Sequence, residues 1–131
     1  MNHTGLLCFF RSVPVLLALS ILSLPPAIAH ELSKQECMEG TDYIRNAALS
    51  REQGMTESAF MDVFDNDLVM LRSIPPTLRW FVQDEEDAEF LRSALNEVFR
   101  LPATPDQHAR NFAEACMLRS GEWNVNGKMR I

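Results

Sequence analysis

Two cysteines constrain this chain more than any other feature. Cys37 and Cys116 stand near opposite ends of the part expected to fold, while the third cysteine, Cys8, falls in a leader. Residues 1–29 are expected to be a secretory signal peptide. Arg11 is the leader's one Lys or Arg, and Val13 to Leu24 form an apolar run ("VPVLLALSILSL") of about 12 residues. That is short of the roughly 20 needed to span a bilayer, so an uncleaved anchor is the weaker reading. Pro25 and Pro26 then break any helix, and Ala27-Ile28-Ala29 offers the small residues a signal peptidase accepts. Cys8 follows Leu7, too early and without the small neighbour of a lipoprotein acceptor. His30 is therefore the expected first residue of the mature chain, which is periplasmic or secreted.

Export places Cys37 and Cys116 in an oxidising compartment as the last two thiols, and one disulfide is the economical outcome. It would close a loop of about 80 residues, worth roughly 4.5 kcal/mol on a chain-entropy estimate. Neither cysteine has the short-range Cys or His partners of a zinc site or the Cys-x-x-Cys spacing of a redox motif.

Periodicity predicts an all-α fold, a small bundle of four or five short helices over residues 30–120, with the first and last joined by the disulfide. Ser33-Lys34-Gln35-Glu36 has the form of a capping box, and Cys37, Thr41, Ile44 and Ala48 recur at helical spacing until Gly54. Thr56 caps a second helix with the stripe Phe60, Val63, Phe64, Leu68 and Leu71, which the patch Asp65-Asn66-Asp67 could split. The segment "PTLRWFVQ" after Pro75 could form a short further helix. Asp84 caps the next, with Ala88, Leu91, Leu95 and Val98 on one face and Glu85, Glu86 and Asp87 at its positive end. Thr104-Pro105-Asp106-Gln107 opens the last, where Ala109, Phe112, Ala113 and Cys116 share a face up to Gly121. Residues 121–131 lack period and are expected to form a loose tail.

Without the leader, 11 Lys and Arg face 18 Asp and Glu, a net charge of −7. Such a chain is repelled by phosphate backbones and anionic lipid, which argues against nucleic acid and against membrane insertion after cleavage. It suits a basic periplasmic protein as partner. The acids Asp84, Glu85, Glu86, Asp87 and Glu89, with Trp80 nearby in "RWF", form the candidate partner surface. They follow one another along a helix start instead of wrapping one point around a glycine turn, so calcium fits poorly.

No catalytic constellation is visible. No Gly-x-Ser-x-Gly elbow surrounds any serine, and there is no Walker loop, dinucleotide fingerprint or zinc spacing. His108 is expected to be an exposed first-turn histidine. A mature His30 would offer its amine and imidazole to copper, with His108 as a third nitrogen and the methionines as soft donors. The methionines are scattered, however, and Met61 and Met70 sit in apolar helical segments where core filling is the ordinary use.

The segment "VFRLPATPDQHARNFAEAC" is similar to the final-helix pattern of small exported two-cysteine helical proteins of Gram-negative bacteria: an aromatic, a proline-bounded loop, then a helix ending in Cys. The resemblance implies a compartment and a fold class but no activity. Periplasmic acid-stress chaperones share size, helical class and a single disulfide by analogy alone. The expected function is thus a non-catalytic interaction module, inhibitor- or immunity-like. An acid-activated holdase is the alternative and copper binding through His30 the remote one.

Overall fold

A computed structural model describes residues 30–121. The expected signal peptide, residues 1–29, and the tail from residue 122 onward lie outside the described residues. Four helices account for most of the rest: α1 (Lys34–Glu52), α2 (Glu57–Arg72), α3 (Glu85–Arg100) and α4 (Pro105–Arg119). No strand occurs among the described residues.

Each helix begins where a side-chain oxygen meets an orphan backbone amide. Ser33 Oγ accepts from the Glu36 amide at 3.2 Å, and Glu36 Oε2 accepts from the Ser33 amide at 2.7 Å, completing the capping box of α1. Thr56 accepts from Ala59, Asp84 from Asp87 and Thr104 from Gln107. Each such cap is worth about 1 kcal/mol. At the other end of α1, Gly54 takes the left-handed conformation, φ +92°, which ends the helix without a Cβ penalty.

The further helix expected at "PTLRWFVQ" does not form. Only a 3-10 turn, Pro76–Leu78, appears, and the chain then runs on irregularly to Asp84. Side chains take over the backbone's hydrogen bonds there. Arg79 donates to the carbonyls of Ile74 (2.8 Å) and Gln83 (3.0 Å), and the Gln83 amide side chain donates to those of Arg79 and Trp80. This bracing lets Phe81 and Val82 turn fully inward. The acidic patch on α2 does not split that helix: Asp65 accepts from Arg92 (2.7 Å) and Asp67 from Tyr43 (3.4 Å).

α1 is the axial helix, packed along α4 and against α3. Its close approach depends on Gly40, where a Cβ would lie 2.7 Å from the rings of both Phe81 and Phe112. Those rings belong to an aromatic chain: Phe112 packs on Phe90 (5.2 Å between centroids), Phe81 on Trp80, and Trp80 on Tyr43 (5.0 Å). Cys37 and Cys116 are bonded and fully buried, with Cα atoms 5.6 Å apart, joining the start of α1 to the end of α4. Phe60, Phe64, Leu68 and Leu71 of α2 complete the core, but Val63 from the expected stripe faces out.

Candidate functional site

The five acids around the start of α3 part company in space. Glu85 pairs with Arg72 at the end of α2 (3.2 Å), Glu86 with Arg119 of α4 (3.2 Å), and Glu89 with Arg92 one turn along α3 (3.3 Å). Asp87 is fully buried and lies 3.3 Å from Arg119, out of a partner's reach. Asp84 is the half-buried cap. Trp80 is half-buried too, its ring tilted 33° against that of Tyr43, so it is not a free aromatic platform.

Electrostatics sort the buried acids. Burial pushes the Asp87 carboxyl above its ordinary range and the Asp84 charge adds to this, against the Gln83 amide, Arg119 and His30. Asp84 goes the other way, held low chiefly by the Asp87 amide it caps, with smaller help from the His30 amide and Arg119. Partial burial raises Glu36, yet the bonds from Ser33 and His30 outweigh it and leave its carboxyl below the ordinary value. Burial, then Asp67, pushes the Tyr43 phenol up.

His30 lies beside this cluster. Its backbone nitrogen donates to Asp84 Oδ2 at 3.3 Å, and its ring Nε2 is 3.0 Å from Glu36 Oε1. Leu32, two residues on, is buried in the core and fixes the segment. His108 sits at the far end of α3, and this corrects the expectation of an exposed histidine. It is buried, with Nε2 3.2 Å from the Leu101 carbonyl and 3.3 Å from Arg51. The length of α3, roughly 24 Å for 16 residues, separates the two histidines, so one ion cannot bind both. Among the described residues, no group of three or more His, Cys, Asp and Glu could hold a metal ion.

His108 lines a small groove of about 120 Å³ between α3 and α4 with Phe90, Ser93, Glu97, Asn111 and Phe112. Typical small-molecule sites start at roughly 300 Å³. With both Arg51 Nη1 hydrogens given to carbonyls, the His108 Nε2 hydrogen goes to the Leu101 carbonyl, and no hydrogen bond joins this nitrogen to Ser93 among the described residues. The neighbouring guanidinium of Arg51 is a structural clamp: it donates to the carbonyls of Val98, Leu101 (2.8 Å) and Ala103 (2.7 Å), closing the end of α3.

The feature that sequence reasoning missed is the outer face of α2. Val63 (48% exposed), Val69 (65%) and Met70 (68%) stand on it, and Leu78 is exposed on the following 3-10 turn. Met70 thus departs from the core-filling role expected of it, whereas Met61 keeps a partly buried place against the core. The signal was present in Leu68-Val69-Met70-Leu71: four consecutive apolar residues on a helix, at about 100° each, cannot all face one core. α2 carries four acids against one arginine. Two arginines tie it to α3: Arg72 pairs with Glu85, and Arg92 holds Asp65 and Glu89 together.

No protein-family model matches the chain, and neither a curated protein nor a solved structure is significantly similar to it. Among the described residues, no helix is long and apolar enough to cross a membrane.

Proposed function

We propose that the chain is an exported, non-catalytic interaction module, inhibitor- or immunity-like, that binds a basic protein through the outer face of α2 and the adjoining acids of α3. The exposed apolar group Val63, Val69 and Met70, set among Asp62, Asp65, Glu85 and Glu89, carries this reading. Acids outnumber cations around these apolar side chains, four against the paired Arg72 and Arg92, and a desolvated centre beside a net negative rim suits a partner of opposite charge. Disulfide closure of the domain would suit the oxidising compartment that the leader implies.

The test is capture from periplasmic extract with the folded protein immobilised. The expected partner is basic, is released by about 0.5 M salt as screening shortens to a few ångström, and is lost with Met70→Arg. Met38→Arg, at an exposed position on α1, retains it. A partner retained by Met70→Arg, or no salt-sensitive partner at all, removes the proposal.

A further inference from the structure

We infer that removal of the leader creates a latch: hydrolysis of the Ala29–His30 bond frees an ammonium at the His30 nitrogen, which then pairs with Asp84. The inference rests on the export reading above and adds a structural consequence of processing. In the reaction, water and the peptide bond yield a carboxylate on Ala29 and an ammonium on His30, with no other reactant beyond the peptidase.

Three observations converge on this nitrogen. It is already 3.3 Å from Asp84 Oδ2, so cleavage changes its charge with no change of place. Its position is fixed from within, because Leu32 is buried and Ser33 caps α1 while Glu36 holds both the Ser33 amide and the His30 ring. The surroundings carry an excess of negative charge, with Arg119 among the acids and Arg72 and Arg79 lining a groove beside Asp84. Asp84, Glu86 and Asp87 gather at the start of α3, and Arg119 is the one cation paired with any of them among the described residues. Glu36 and Glu31 add further negative charge from the N-terminal segment, and the His30 imidazole is engaged by Glu36. A backbone amide offers Asp84 one neutral hydrogen bond, whereas an ammonium offers full charge and three donors.

The experiment uses the exported protein, with its amino terminus read by sequencing and intact mass. A second form carries Gly-Ser inserted between Ala29 and His30, which restores an amide at His30 and moves the charge about 7 Å along the chain. The insertion is expected to lower the thermal midpoint by about 3 °C, the scale of one partly exposed charge pair in a domain of this size. In Asp84→Asn, which keeps a competent helix cap, the two forms should differ by less than about 1 °C.

A second readout needs no substitution at Asp84. Pairing raises the ammonium's affinity for its proton, so the stabilisation is complete below about pH 7 and fades as the amine deprotonates in alkali. The gap between the two forms should close accordingly. A mature terminus at any residue other than His30 overturns both the leader boundary and the latch. A His30 terminus with equal midpoints, or a gap indifferent to pH and to Asp84→Asn, overturns the latch alone.

Discussion

The carboxylate of Asp87, fully enclosed at the start of α3, lies 3.3 Å from the Arg119 guanidinium on the last turn of α4. The alignment is imperfect: Asp87 Oδ1 and Arg119 Nη1 are both buried without a hydrogen bond. Removing the cation strands a buried charge, while neutralising the acid does not. Arg119→Gln should therefore cost about 3 kcal/mol, whereas Asp87→Asn should be close to neutral at pH 7, read from urea midpoints. Equal losses would mean that the pair is not coupled.

Acid should act on this end of the molecule in two opposed steps. Asp87 has a raised pKa, so its ionised form opposes folding, and it takes up its proton first as pH falls from neutrality. That step adds stability. Glu36 and Asp84 have lowered values, so their contribution is present above the ordinary carboxylate range and lost as pH falls through their folded values. Stability should rise slightly towards mild acid and then drop. Asp87→Asn should abolish the rise and Glu36→Gln should shrink the drop, both followed by urea midpoint against pH. A steady decline from pH 7 downward in the unsubstituted protein would contradict this order.

At Gly40 the helix gives up propensity for closeness. Valine there regains about 0.4 kcal/mol of intrinsic helix preference, but its Cβ meets two buried phenylalanine rings at 2.7 Å. Gly40→Val is expected to lose about 2 to 3 kcal/mol net, with altered near-ultraviolet dichroism from Phe81 and Phe112. An unchanged midpoint would show that the rings can move aside.

Arg51 satisfies three carbonyls that α3 and its exit loop leave open. Arg51→Lys, with one compact ammonium in place of a planar fork, should recover little of the roughly 2 kcal/mol lost in Arg51→Ala. Hydrogen exchange at the α3 terminus should quicken in both variants. Full rescue by lysine would reduce the clamp to simple charge.

The helices and the disulfide were legible because their signals are local or compositional. Ser33, Thr56, Asp84 and Thr104 announce helix starts within four residues, and the two cysteines beyond the expected leader leave one pairing. What stayed hidden depends on partners far along the chain. Nothing near Arg51 says that it reaches Ala103, and nothing near Asp87 says that the fold encloses it while Glu86, paired with the same Arg119, stays exposed. The failed helix after Pro76 has a different cause, local but without a periodic signature: Arg79 and Gln83 bond nearby backbone carbonyls with their side chains in place of the helical ladder. Gly40 was a missed clue: a glycine among core positions of a helix costs about 1 kcal/mol, which usually has a packing reason.

The bond between Cys37 and Cys116 spans 79 positions and encloses nearly all of the four helices. Topologically the molecule is a closed ring. One protease cut in any of its loops leaves both fragments joined, so full-length mass survives on a non-reducing gel. Pulled by its termini, the chain would carry tension straight across the sulfur bridge, and all four helices, which lie almost wholly between the two cysteines, would bear almost no load.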